Sequence, residues 1–206
     1  MAQSESARLE AFSDGVFAIA ITLLILEIKV PTAEELHLVG GMWPALAHRW
    51  PSLLGYVISF GTIGVMWANH HALFDVIKKV DRTVMLANIL LLMAVSFLPF
   101  PTAVLAEHLQ EPDARTDATV FYGVCLIIVS LAFNTVRWSA SRPGLAGRDR
   151  ESDERLIAAR RHIRRIYAIG PSAYIGATLI AFVNVWISLG IHVALAVMFA
   201  RGERRS

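Results

Sequence analysis

Cysteine and charged residues are both scarce in this chain, and each scarcity excludes a class of protein. The single cysteine, Cys125, rules out an intramolecular disulfide and suggests no cysteine-based metal site. Only 17% of the 206 residues are charged while 55% are hydrophobic, which is too apolar for an ordinary soluble domain. No nucleophile elbow, HExxH, Walker loop or GxGxxG motif is present, so the sequence does not predict an enzyme.

Charge is missing altogether from four long stretches, which are typical of membrane spans. Residues 50–74, 83–106, 118–136 and 166–200 contain no Asp, Glu, Lys or Arg. The last stretch has 35 residues, too long for one helix across a hydrocarbon core of about 30 Å, so it predicts a helical hairpin with its turn near Asn184. With the apolar segment 16–26, this makes six spans.

The predicted fold class is therefore an all-α membrane protein with six transmembrane helices in one domain, 1–206. The helices are predicted at about 8–30, 51–77, 83–106, 117–138, 154–184 and 186–201, with a cytoplasmic linker at 139–153. Sixteen of the 19 basic residues then lie in the two tails and in the second and fourth loops, which places both termini in the cytoplasm. A secretory signal in the first apolar run is disfavoured, because Glu27 and Lys29 follow it where small residues belong.

The first helix carries an ordered apolar face. Ile19, Leu23 and Leu26 recur at helical spacing, with Thr22 among them. Spacing alone is as typical of packing or lipid contact as of a pore lining. The uncharged stretch is short for a lipid-facing span, however, and several copies of such a face around an axis would form apolar rings that gate a pore, beside hydroxyls that favour cations. No TVGYG-like filter loop is present.

Several polar residues fall at one depth near the predicted inner ends of the first three helices. The set is Asp14, Asn69, His70, His71 and Asn88, with Arg8 able to reach the same layer. An unpaired Asp or Arg at the bilayer centre costs about 2.5–3.5 kcal/mol on insertion scales, so an interhelical network that holds the first helix is favoured. A proton relay or pH sensor through Asp14 and the two histidines stays open.

Metal binding and cofactors are not expected. His71 and Asp75 stand at i and i+4 on the second predicted helix, but two ligands of mixed type are a weak metal signature. The only metal predicted is potassium in transit, with no structural metal.

Two groups of these residues together resemble a known family, the transmembrane protein 175 family of potassium channels. The first group is an Arg, three residues, then Phe-Ser-Asp, met here by Arg8, Phe12, Ser13 and Asp14. The second comprises Trp67, His70, His71, Asp81, Arg82, Asn88 and the run LPFPT at 98–102. The resemblance extends from Arg8 to at least Thr102.

The resemblance implies a homotetramer in which the first helices surround a central pore. It places Ile19, Leu23 and Leu26 at the constriction, with Thr22 as the adjacent hydroxyl layer that contributes to selectivity. It implies a supporting network drawn from Arg8, Phe12, Ser13, Asp14, Trp67, Asn69, His70, His71 and Asn88, with the choice between His70 and His71 left open. Animal members carry two repeats, whereas this chain has one Phe-Ser-Asp motif, so four copies are required.

The predicted function is a potassium-permeable cation channel of the bacterial plasma membrane. Its predicted partners are potassium and other monovalent cations, further copies of itself and the lipid bilayer, with no nucleic acid and no cofactor. Glu27 belongs to an excess of outer acidic residues that would concentrate cations at the mouth, although acidic residues also obey no sidedness rule. A proton-coupled transporter or proton conductor using Asp14 and His70/His71 is the alternative, and a non-conducting scaffold is a third.

Overall fold

The computed structural model describes residues 5–77, 79–142 and 170–201, and these are folded almost entirely into helices. In chain order they are α1 (Glu5–Leu23) with a 3-10 turn (Leu24–Glu27), α2 (Ala33–Val39), α3 (Met42–His48), α4 (Trp50–Val76), α5 (Arg82–Phe97), α6 (Pro99–His108), α7 (Arg115–Ala140), α8 (170–180) and α9 (Val185–Arg201).

Within the described residues, four helical stretches are long and apolar enough to cross a membrane. They are Glu5–Glu27, Trp50–Asp75, Arg82–His108 and Arg115–Ala140, and α9 is a shorter apolar helix over Val185–Ala200. The protein is therefore an all-α membrane protein. The count of six spans and the sidedness of the termini stay predictions.

The first helix ends earlier than the sequence predicts. Instead of continuing to residue 30, α-helical geometry stops at Leu23, a 3-10 turn follows to Glu27, and Ile28 is extended. The β-branched Ile28 and Val30 precede Pro31, which disfavours helix in the residue before it and removes a backbone donor. The C-terminal end of this span is therefore a 3-10 turn rather than regular α-helix.

The third predicted helix, 83–106, is two helices that meet at Leu98. Pro99 and Pro101 lack backbone N–H groups, so the ladder is interrupted, although Leu98 keeps helical dihedral angles. The Leu98 carbonyl still accepts the Thr102 N–H at 3.1 Å and the Thr102 hydroxyl at 2.8 Å. The segment is thus one apolar stretch in which the helical hydrogen bonding is interrupted at the prolines.

Two short helices, α2 and α3, occupy a loop for which the sequence predicted no structure. Thr32 caps α2 through a reciprocal capping box with Glu35. The Arg49 guanidinium also donates to the Glu35 carboxylate. The pKa of Glu35 is lowered, first by the Thr32 backbone N–H and then by Arg49.

The last two helices form a tight hairpin at the position that the length of the uncharged run predicts. α8 ends at residue 180 rather than 184, and after turn residues 181–183 Asn184 accepts the backbone N–H groups of Trp186 and Ile187 at 2.9 and 3.1 Å. The predicted start of the fifth helix and most of the linker 139–153 lie outside the described residues. At the start of that linker, α7 continues to Ala140.

The core lies where α5, α6 and α7 pack together, with α4 and α9 against them and α1 on α4 and α5. Its largest fully buried side chains include Tyr122, Phe17, Phe74 and Leu126. α1 begins, α4 ends and α5 begins at the same end of the bundle, which we call the N-terminal end, and there Ser6 donates to the Ile77 carbonyl at 3.0 Å. This arrangement brings the polar residues of three helices to one level.

Candidate functional site

The first helix has two sharply different faces. Phe17, Ala20 and Leu24 are at most 1% exposed and pack into the core. On the other side Ile19, Leu23 and Leu26 are 60%, 40% and 64% exposed. In the most apolar 18-residue segment of α1 and its turn, 22% of the residues are buried. The corresponding fraction is 39% for α4 and 56% both for the α5–α6 stretch and for α7. The first helix therefore presents most of its apolar surface away from its own chain.

The candidate pore residues share that outward side. The Thr22 hydroxyl donates to the Ile19 carbonyl at 2.9 Å, so it is satisfied within its own helix while remaining exposed. Glu27, at the end of the 3-10 turn, lies 3.9 Å from the Lys29 ammonium. Gly15 is also exposed, and a Cβ built there meets no atom within 4 Å. The described residues of the single chain leave this face open.

The opposite side of α1 is tied to two neighbouring helices by a buried line of hydrogen bonds. The Asn88 amide donates from Nδ2 to Ser13 Oγ at 2.9 Å, and the Ser13 hydroxyl donates to the Leu9 carbonyl at 2.8 Å. His70 Nε2 lies 2.8 Å from Asn88 Oδ1, which must accept in this arrangement, so His70 carries its proton on Nε2. Ser13, His70 and Asn88 are fully buried, which makes this line a clamp among α1, α4 and α5.

Aromatic rings fix the orientation of His70. Its ring stacks on Phe74, with centroids 4.4 Å apart and planes at 20°, and Phe17 of α1 packs against it at 5.3 Å. Because both rings are fully or nearly fully buried, the imidazole is confined by packing as well as by its hydrogen bond.

A second tie between α1 and α4 lies nearer the surface. The Trp67 indole N–H donates to Asp14 Oδ1 at 2.9 Å, and Asp14 is half-buried. A carboxylate that accepts from an indole at the edge of the bundle holds its helix at small desolvation cost. The aspartate of the Phe-Ser-Asp motif therefore bonds to α4, while its serine bonds to α5.

His71 belongs to a different group from His70. Its Nδ1 lies 2.8 Å from Glu10 Oε1, its side chain is 52% exposed, and its ring stacks with Trp67 at a centroid distance of 6.1 Å. Consecutive helical residues point about 100° apart, so one histidine enters the core and the next faces outward. The structure thus assigns the buried network to His70.

Comparison with known proteins shows the family of the chain. A model of the family described as endosomal/lysosomal potassium channel TMEM175 matches residues 8–99. A potassium channel of Streptomyces collinus is 44% identical over 197 residues, which cover 95% of this chain and 92% of that protein. The chain belongs to the TMEM175 family.

Two further comparisons agree with TMEM175 membership. A potassium channel of Chamaesiphon minutus is 45% identical over 198 residues, covering 96% of this chain and 95% of that protein. A crystal structure of a lysosomal potassium-selective channel TMEM175 homolog from Chamaesiphon minutus matches with a TM-score of 0.86 and 41% identity, over 98% of this chain and 100% of that chain. The family membership predicted from the two motif groups is confirmed.

Like His71, three other residues of the predicted supporting network lie apart from the buried line, namely Arg8, Phe12 and Asn69. Arg8 is exposed and, among the described residues, forms no ion pair, so it does not reach the layer as its position predicted. Phe12 is 59% exposed on the outward side of α1. Asn69 is buried but lines a cavity of about 30 Å³ among α4, α7, α8 and α9, where its Oδ1 has no partner among the described residues.

A second buried polar line in this TMEM175 fold escaped sequence reasoning. The Tyr122 hydroxyl lies 2.9 Å from Ser59 Oγ, which lies 2.7 Å from Thr102 Oγ1. Thr102 donates to Leu98, so the line ties α4, α6 and α7. Each residue sits in an apolar run with ordinary composition, so only the tertiary contacts reveal the line. His192 donates from Nδ1 to the Ser188 carbonyl at 2.8 Å, consistent with a packing role.

Proposed function

We propose that this chain is a potassium-permeable cation channel of the bacterial plasma membrane, built from four copies whose first helices surround a central pore. Membership of the TMEM175 family supports the proposal, as do the names of two relatives, both potassium channels, that match at least 92% of their own length. The single observation that carries it in this chain is the outward apolar face of α1.

The clamp on the inner side of α1 gives that face a defined direction. Ser13 and Asp14 are bonded to α5 and α4, so rotation of α1 about its axis would break both ties. A helix held at a fixed rotation presents the same exposed residues in every copy. Four such helices at a symmetry axis would form successive rings of Ile19, Leu23 and Leu26.

Those rings are suited to gating. Large aliphatic side chains that meet at an axis exclude water, and an ion cannot pass a dewetted constriction without losing its hydration. Thr22, one residue before Leu23, would supply a hydroxyl layer next to the constriction, and its exposed oxygen has a free lone pair for a partly dehydrated cation. Glu27 would lie at the outer mouth and raise the local cation concentration.

The proposal includes six spans per chain with both termini in the cytoplasm. The basic residues concentrate in the tails and in two loops, as the orientation of α-helical membrane proteins requires. The N-terminal end of the bundle then faces the cytoplasm, and α2 and α3 cover the outer side.

Potassium flux into liposomes tests the pore face. We expect Ile19→Asn and Leu23→Asn to increase flux several-fold over the wild type, because an amide in the constriction keeps it hydrated. Ile128→Asn is the matched control, since Ile128 is 51% exposed on α7 and stands on no proposed pore surface. Equal flux in the wild type and both α1 variants, or an equal rise in Ile128→Asn, would refute this assignment of the pore.

Proton conduction through His70 is the second candidate, because a fully buried histidine sits in an extended hydrogen-bonded line. The line ends at the Leu9 carbonyl, which can accept a proton in a hydrogen bond but cannot pass one on, and this favours a clamp. Imposing potassium and proton gradients separately distinguishes the two functions. Proton-driven flux that is lost in His70→Ala and unaffected in Ile19→Asn would favour proton conduction.

A further inference from the structure

Three side chains with metal-binding atoms converge at the N-terminal end of the bundle, outside the buried clamp. Glu10 comes from α1, and His71 and Asp75 come from α4. One nitrogen or oxygen atom of each lies within 4.8 Å of those of the other two. In the sequence only the two α4 residues are near one another, and the third ligand is supplied by the fold.

The three residues are held in register by the contacts around them. His71 and Asp75 stand one helical turn apart on the same face of α4. The His71 ring is stacked with Trp67, whose indole N–H holds Asp14, the residue one turn after Glu10 on α1. The Trp67–Asp14 bond between the two helices, together with the His71–Trp67 stack within α4, therefore sets the position of the Glu10 carboxylate opposite the imidazole.

We propose that Glu10, His71 and Asp75 bind a divalent transition-metal ion, of which Zn²⁺ is the representative probe. One imidazole nitrogen with two carboxylate oxygens is a ligand set that Zn²⁺ accepts, commonly with water in the fourth position. Mg²⁺ and Ca²⁺ prefer sites made of oxygen alone, so the histidine selects against them. The bound ion bridges α1 and α4.

The geometry admits the ion with side-chain movements of up to about 1.5 Å, because the three ligand atoms lie within 4.8 Å of one another. Ligands of a tetrahedral zinc ion with bonds of about 2.0–2.1 Å stand roughly 3.3 Å apart. His71 Nδ1 and Glu10 Oε1 are 2.8 Å apart, so they separate by about half an ångström when the ion replaces the hydrogen bond between them. His71 and Asp75 are exposed, so both the movement and access from solvent are unobstructed within the described chain.

Titration calorimetry of the full-length chain in detergent, free of any affinity tag and of chelators, tests the site with ZnCl₂. We expect His71→Ala to lose one zinc site per chain, and Glu10→Gln and Asp75→Asn each to weaken that site at least about tenfold. His108→Ala is the matched control. His108 also lies 2.8 Å from a glutamate, Glu111, but the described residues place no third ligand atom within 4.8 Å of both, so its removal should leave the zinc site unchanged.

A second measurement follows the bridge itself. Zinc that links two helices should raise the thermal unfolding midpoint of the wild type and of His108→Ala, and should raise it less in Asp75→Asn. Asp75 is exposed and makes no hydrogen bond among the described residues, so we expect Asp75→Asn to keep the fold. If His71→Ala unfolds, Asp75→Asn still tests whether zinc binds at this site. Neither measurement depends on ion conduction, so this proposal and the channel proposal can fail separately.

Three outcomes would overturn the site. Wild-type zinc affinity in both His71→Ala and Asp75→Asn would show that other groups bind the ion. An equal loss in His108→Ala would show general binding by surface histidines. Binding of Mg²⁺ as tight as that of Zn²⁺ would show that the imidazole is not a ligand.

Discussion

Neighbouring residues of α4 have different chemistry because the helix turns them in different directions. His70 is fully buried between Phe17 and Phe74 and bonds to Asn88, whereas His71 is exposed beside Glu10. The His70 imidazole is enclosed by aromatic rings, whereas the His71 side chain is 52% exposed. The buried residue is suited to holding helices together, and the exposed one is suited to binding ions.

Asn88 is the central residue of the clamp, and its removal provides a stability test. Asn88→Ala should lower the free energy of unfolding by about 1–3 kcal/mol, because His70 Nε2 would keep its proton buried without an acceptor. Thermal unfolding in detergent measures the change. Asn134→Ala is the control, since among the described residues Asn134 donates only to the Ser130 carbonyl of its own helix. A midpoint for Asn88→Ala no lower than that of the control would contradict the clamp.

At the scale of helices, the two buried polar lines connect different sets of helices. The Ser13–Asn88–His70 line joins α1 to α4 and α5 near the N-terminal end of the bundle. The Tyr122–Ser59–Thr102 line joins α4, α6 and α7, and it ends on the carbonyl at the break between α5 and α6. In hydrocarbon, where association gains little from burial of apolar surface, such interhelical hydrogen bonds and close packing specify which helices are neighbours.

Gly123 allows close packing between α7 and α8. A Cβ on Gly123 would overlap the Thr178 hydroxyl, and Thr178 is itself fixed by a 2.7 Å bond to the Tyr174 carbonyl. Gly123→Ala should therefore destabilise the protein by about 1–3 kcal/mol. Gly176→Ala, on α8, meets no atom within 4 Å and should be neutral or stabilising by up to about 1 kcal/mol. Thermal unfolding of both variants checks the contrast, and equal midpoints would show that α8 can move aside.

At the scale of the whole molecule, the exposed apolar surface is unevenly distributed. The span formed by α1 is the least buried of the four, although it carries the residues that the family motif marks. A helix clamped on one side and open on the other is what assembly about an axis requires. The proposed tetramer supplies the missing neighbours, and the open face of one chain becomes an interior surface of four.

Gly15 allows the assembly to be tested without disturbing the fold of one chain. Gly15 is exposed and a side chain there meets nothing within 4 Å, so Gly15→Leu should leave the subunit intact. If four first helices approach one another, the added bulk should reduce the proportion of complexes with four times the 22.7 kDa mass of a chain, as measured by native mass spectrometry. Gly190→Leu, at an exposed and open glycine of α9, is the control. An undiminished tetramer in Gly15→Leu would argue against close approach of the first helices.

Much of this protein could be predicted from the sequence because the bilayer imposes simple demands. Uncharged runs long enough to span hydrocarbon predicted the long helices, and a run too long for one helix predicted the hairpin at Asn184. The periodicity of α1 identified Ile19, Leu23 and Leu26 as one face, which the structure leaves open. Helical rise converts position into depth, which placed His70 and Asn88 at one level, whereas Ser13 entered the predicted network only through the family resemblance.

Only the tertiary structure decided which of these groups touch one another. Depth and spacing leave rotation about the helix axis undetermined. They therefore could not distinguish His70 from His71, and they could not predict that Glu10 lies beside His71 and Asp75 or that Arg8 is exposed. The break at Leu98 and the end of α1 at Leu23 likewise follow from local backbone geometry rather than from hydropathy. The bilayer determines how long a segment must be and how apolar, and the packing of helices against one another determines which of its side chains meet.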